Sequence, residues 1–186
     1  MDGMFFEDGA YSLDWLASYH LAGGISLGTL HNQHFYAVRV NGNDLRLPFS
    51  ARPFSAMIDM TRPVDDVILK KYAVDLIRHG CVQSICRGEE ANHLTRLFDD
   101  MAESGALDSN GVAFTAMCME DEPLDEAIRY FSLPCGLAQT KLILVIGGEE
   151  QFREVVGGFY RISGLNREKL DEESFTDADC ISFTIK

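Results

Sequence analysis

A chain of 186 residues with 46% hydrophobic content is long enough to bury one domain-sized core. Its formal net charge of −13 favours solubility and works against nucleic acid and anionic membranes as partners, since both present negative charge. No apolar run approaches the roughly 20 residues needed to cross a bilayer, and five cysteines, odd in number and without a C-x-x-C pair, argue against a disulfide framework or a zinc site.

The N-terminal MDGMFFEDGAYSLDW is acidic and lacks a basic region ahead of an apolar run, so no secretory signal is expected and a reducing cytoplasm is the expected location. Its Met4, Phe5, Phe6, Tyr11 and Trp15 form an aromatic arm expected either to dock on the domain or to make a homo-oligomer contact. Residues 12–22 predict a short helix capped by Ser12 and stopped by Gly23-Gly24. The glycines of AGGISLGTL have no nucleotide-loop spacing and precede no helical pattern, so a turn is expected there. His31 and His34, in HNQH, read as exposed polar loop. In HFYAVRVNGNDLRLPFS the NGN triplet predicts a hairpin, because Asn and Gly tolerate the positive φ of tight hairpin turns. Phe35, Ala37 and Arg39 alternate with Tyr36, Val38 and Val40, a pattern suited to a sheet edge. Residues 1–50 are thus expected as an N-terminal helix and hairpin packed on an α/β core of 51–186, the whole forming one structural domain.

From Phe54 to Cys118 the pattern is strand, helix, strand, helix, strand, with LILVIGG and a further helix extending it. Short apolar runs separated by amphipathic segments predict a mainly parallel, Rossmann-like sheet flanked by helices. Thr61 is expected to cap the first helix, with Pro63 in its opening turn and Leu69, Ala73, Leu76 and Ile77 buried. The second, from about Glu89, buries Leu94, Leu97, Phe98 and Met101. The third opens at Asp121 and Pro123 and buries Leu124, Ala127, Ile128 and Phe131. The last, Glu149 to Ile162, buries Phe152, Val155, Val156 and Phe159, and its Gly157-Gly158 pair predicts a close helix–sheet contact or a kink. CISFTIK predicts a half-buried antiparallel edge strand at the C-terminus.

In such a sheet ligands bind beyond the carboxyl ends of the strands. The loops expected there carry Asp59, Arg62, Arg87, Glu89, Glu120 and Glu149. Asp59, Glu89, Glu120 and Glu149 are the candidates for a Mg²⁺ site serving phosphoryl chemistry, and helix capping is the competing explanation for the same acids. IGGEE lacks the spacing of a phosphate loop, and its glutamates would repel phosphate. Cys81 and Cys86, an odd number of residues apart in one strand, are expected on opposite faces. Cys118 closes the third strand with no His placed by sequence to activate it.

Between Arg96 and Arg129 there is no Lys or Arg, while Asp108 and eight further acids, Asp99, Asp100, Glu103, Glu120, Asp121, Glu122, Asp125 and Glu126, fall in that interval. One strongly negative face is expected. From His79 to about Phe131 the chain also resembles a group of small, uncharacterised bacterial α/β proteins. Their shared stretch runs roughly G-C-x-Y-x-C-x-W-G, then an acidic helix, a strand and a helix of the form slddA. Gly80-Cys81, Cys86, Gly88, Asp99-Asp100 and Pro123-Leu124-Asp125-Glu126-Ala127 carry the resemblance. Gln83 and Arg87 stand where an aromatic and a Trp are common in that group, and Ala91 to His93 replace its usual Cys and His. The resemblance implies an α/β fold and a bacterial source, and no activity.

Charge sign, charge distribution and the lack of a catalytic constellation lead to one expectation: a non-enzymatic acidic protein, of the immunity or inhibitor type, that engages a basic protein partner through those eight acids and needs no cofactor. The alternative is a Mg²⁺-dependent enzyme acting on a phosphorylated or nucleotide substrate at the strand ends.

Overall fold

His31 and Asn32 sit at φ of 52° and 61°, the left-handed pair that a two-residue hairpin turn requires. They fold β1 (Ile25–Leu30) back on β2 (Gln33–Val40), in antiparallel register from Ile25 opposite Ala37 to Leu30 opposite Gln33. The computed structural model describes residues 24–40, 45–48, 53–103, 114–134, 138–165 and 181–182. The expected N-terminal helix and aromatic arm lie outside them, as do the NGN triplet and the chain beyond Ser182.

The hairpin is therefore one strand earlier than expected. AGGISLGTL holds β1 rather than a turn, and the run after NGN, β3 (Arg46–Leu47), does not pair with β2. The reason is geometric: β2 spends one side on β1 and the other, in parallel, on β7, so no side is left for β3. For the same reason β2 is an interior strand. Phe35 and Ala37 are buried on one face, Val38 and Val40 on the other.

The rest alternates as the pattern foretold. β4 (Phe54–Met60) is buried throughout and leads through α1 (Asp66–Arg78) to β5 (Cys81–Gly88). Next come α2 (Ala91–Glu103), β6 (Thr115–Met119), α3 (Leu124–Ser132), β7 (Thr140–Ile146) and α4 (Glu149–Ser163). The sheet order is β1-β2-β7-β4-β5-β6, and every pair except β1–β2 is parallel. This is a Rossmann-like α/β domain: a mostly parallel six-stranded sheet with helices on both faces. β1 and β2 complete that sheet rather than packing on it. The C-terminal β8 (Ile181–Ser182) is antiparallel as expected, but it pairs with β3 in a separate two-stranded sheet.

α1 and α2 cover one face, where Leu69, Leu76, Leu94 and Phe98 meet Ala56, Ile58, Leu142 and Leu144. α3 and α4 cover the other, where Ile128, Phe131, Phe152 and Phe159 meet Phe35, Met57, Ile143 and Val145. Each helix buries its expected stripe, with Met101 and Leu124 only partly covered. The cap of α1 is Asp65, whose carboxylate accepts from Val67 N at 2.9 Å. Thr61 and Pro63 precede the helix. Within the Gly157-Gly158 pair, Gly158 lies close to a helix neighbour: a Cβ there would stand 3.0 Å from Cδ1 of Ile128 on α3.

One correction concerns β5. Register slips between Phe54 and Ser55, which face Cys81 and Gln83, and this bulge inserts one residue and reverses the side-chain phase. Cys81 and Cys86 therefore lie in the same buried layer, not on opposite faces.

Candidate functional site

The chain steps outward from β4 to β5 to β6, then returns across β4 to lay β7 on its other side. The strand order reverses between β4 and β7, and in open α/β sheets the crevice for a ligand opens at such a point. All four loops expected at the carboxyl edge are there: the segments following β4, β5, β6 and β7.

Asp59, on β4 at this reversal, is 1% exposed. Its direct neighbour on β5 is Arg87, whose Nη1 donates to Asp59 Oδ1 at 2.5 Å. Gln151, from the first turn of α4, donates its Nε2 to Asp59 Oδ2, and Thr61 donates its hydroxyl to Gln151 Oε1. Gly147 is what lets Gln151 come so close, since a Cβ there would collide with Gln151 Oε1. Both oxygens of the buried carboxylate are thus engaged and its charge is matched. Asp59, Arg87, Gln151 and Thr61 satisfy one another at the strand reversal.

Arg87 also reaches outward. Its Nε donates to the Glu122 carbonyl at 2.9 Å, tying the turn after β6 to the sheet. That turn, Glu120-Asp121-Glu122, is exposed. Gly88, at φ 97°, permits the next step of the chain, because a Cβ there would collide with the Met60 carbonyl that Glu89 N uses at 3.1 Å.

The four acids considered for Mg²⁺ do not converge. Asp59 is engaged as described. Glu149 accepts from Arg153 Nη2 at 2.6 Å and lies 4.0 Å from Arg39 Nη1. Glu89 and Glu120 are exposed at the ends of different strands, and Arg62 is exposed beyond β4. Among the described residues no group of three or more His, Cys, Asp or Glu is placed to hold a metal. His31 lies in the hairpin turn, whereas His34 is an exposed residue of β2 with Nδ1 3.0 Å from Thr29 Oγ1.

The eight acids expected to meet the partner divide around the β6 edge. Asp99, Asp100 and Glu103 are exposed on α2, which packs on β5 and β6. Glu120, Asp121 and Glu122 cap the carboxyl end of β6. Asp125 and Glu126 open α3 on the opposite face, where Asp125 accepts from Arg161 Nη2 at 2.6 Å and Glu126 lies 3.9 Å from Arg129 Nε. The first six form no ion pair with the described residues. Cys118, on β6, is exposed, while burial pushes the Cys81 and Cys86 thiols up to about 12.

Two polar residues escaped the sequence reading. Gln151 was hidden in a helical stripe, and its role depends on a strand 92 positions away. Lys141 is buried at the opposite edge, where its Nζ donates to the Phe131 and Leu133 carbonyls at 2.5 and 2.8 Å and stands 5.0 Å from the Phe131 ring centre. An ammonium at these carbonyls complements the C-terminus of α3. A lysine opening the apolar run KLILVI was the available signal.

No helix among the described residues is long and apolar enough to cross a membrane. A scan of protein-family models finds none that matches this chain, and a search of curated proteins finds no match.

Proposed function

We propose that this protein is a non-enzymatic binding module for a basic protein partner, in the manner of an immunity or inhibitor protein. One observation carries the reading: the turn Glu120-Asp121-Glu122 is exposed, forms no ion pair with the described residues, and has its backbone held by Arg87 from the buried Asp59 pair. Acids pre-positioned in this way attract a cationic surface without first having to be ordered. Asp99, Asp100 and Glu103 extend the same sign of charge along α2. Asp125 and Glu126 contribute less, because Arg161 and Arg129 already stand against them.

The test compares two triple variants of the full chain for binding of a lysine-rich peptide at low salt. Glu120→Gln/Asp121→Asn/Glu122→Gln removes the turn's charge, and Glu89→Gln/Glu150→Gln/Glu154→Gln removes as much charge elsewhere. At roughly 0.2–1 kcal/mol per exposed contact, the first set is expected to weaken binding about tenfold more than the second. Equal losses would reduce the attraction to bulk charge and overturn the proposal.

A further inference from the structure

The two edges of the six-stranded sheet are finished differently. At β1 the register slips between Ser26 and Gly28, with Gly28 at φ 99°. A bulge of this kind twists an edge strand away from a would-be neighbour. β6 has no such protection. Its sequence TAMCM carries no charge and no proline, and its register with β5 is unbroken from Gln83–Thr115 to Arg87–Met119. Among the described residues no strand pairs with its outer side. Alternate residues of a strand so placed direct N–H and C=O groups away from the sheet, a template for one more strand. The side chains beside that edge suit a visitor: Ala116, Met117 and Met119 are half-buried, Thr115 and Cys118 are exposed, and methionine adapts to varied apolar contacts.

Charge decides which visitor. Glu120, Asp121 and Glu122 follow the carboxyl end of β6, and Asp99, Asp100 and Glu103 lie on the helix that packs over it. A second copy of this chain would bring another −13 against them. We propose that β6 is an acceptor edge, and that an extended basic segment of the protein partner adds to the sheet there, its backbone pairing with β6 and its cationic side chains meeting these carboxylates. The inference rests on the proposed binding of a basic partner and supplies its mode.

The decisive probe is an eight-residue peptide of alternating lysine and valine, set beside a twin N-methylated at alternate backbone nitrogens. The twin keeps every charge but loses the donors a strand needs. Binding to the full chain is measured at low salt, with residue-level hydrogen exchange of 115–119. The unmodified peptide is expected to slow exchange at alternate β6 amides and to bind at least about tenfold more tightly than its twin. Cys118→Lys, a change at an exposed position, is expected to abolish that difference without altering the melting temperature. Equal binding of the twins, with the Glu120/Asp121/Glu122 triple variant still weakened, would overturn the acceptor edge and leave the acidic binding surface standing. Failure of both peptides to bind would overturn both readings. Outward β6 amides already slow in the free chain would show the edge covered by the chain itself, and a doubled mass at low salt that Cys118→Lys abolishes would identify a second copy as the occupant; either overturns the proposal.

Discussion

Asp59 and Arg87 stand on adjacent strands with the carboxylate 1% exposed and the guanidinium donating to it at 2.5 Å. Removing one member of a buried pair leaves the other charge uncompensated, at a cost of roughly 3–5 kcal/mol, whereas removing both is far milder. Arg87→Met is therefore expected to lower the unfolding free energy by about 3 kcal/mol in denaturant melts. Asp59→Asn/Arg87→Met should lose clearly less than the two single losses added together. Additive losses would mean that the two side chains act separately. The sequence placed both residues at strand ends, because strand ends follow from where each apolar run stops. Their partnership was not legible. It depends on the bulge at the start of β5, which sets which β5 residue faces Asp59, and on Gln151 arriving from α4. Neither leaves a trace in the local pattern.

Among the elements, β5 shows how one inserted residue changes chemistry. Strict alternation would have put Cys81 and Cys86 on opposite faces, but the bulge brings both thiols into the layer under α1 and α2. Burial there holds each thiol protonated, pushed from 9.0 up to about 12. The sign of the effect follows from proton counting. Between pH 9 and 12 the unfolded chain gives up these protons and the folded chain keeps them, so stability is full below pH 9 and falls as pH rises toward 12. Each thiol contributes a slope of about 1.4 kcal/mol per pH unit across that window. Cys86→Ala, though less stable at neutral pH, is expected to show a shallower fall of melting temperature between pH 9 and 12 than the parent chain. Parallel curves would show that Cys86 ionises as readily folded as unfolded. The hairpin teaches the same lesson from the other side. NGN is the turn signal the sequence offers, yet the hairpin of the sheet turns at His31-Asn32, and β2, enclosed between β1 and β7, has no side left for the run that follows NGN.

At the scale of the whole molecule, the βαβ alternation was legible because period-2 and period-3.6 patterns follow directly from burial, but the order of the strands was not. Nothing in the sequence says that β7 returns to the far side of β4, and that return decides which loops meet. It also separates two of the acids considered for Mg²⁺. With strands spaced about 4.8 Å apart, the ends of β6 and β7 are three spacings, roughly 14 Å, from one another. Mg²⁺ draws its oxygens to about 2.0–2.1 Å, so Glu120 beyond β6 and Glu149 beyond β7 belong to no common shell. Asp59, between them, is already taken by Arg87 and Gln151. A cation can still act on this chain in another way. A net charge of −13 opposes compaction by self-repulsion, and any salt relieves that repulsion by screening. Mg²⁺ and Na⁺ chlorides at equal ionic strength are therefore expected to raise the melting temperature by the same amount. A site would instead stabilise in proportion to the logarithm of free Mg²⁺ over its dissociation constant, on top of the screening. A Mg²⁺-specific excess of several degrees, abolished by Glu120→Gln, would restore metal chemistry to the strand ends and displace the binding-module reading; coincident curves leave the acids free for a cationic protein.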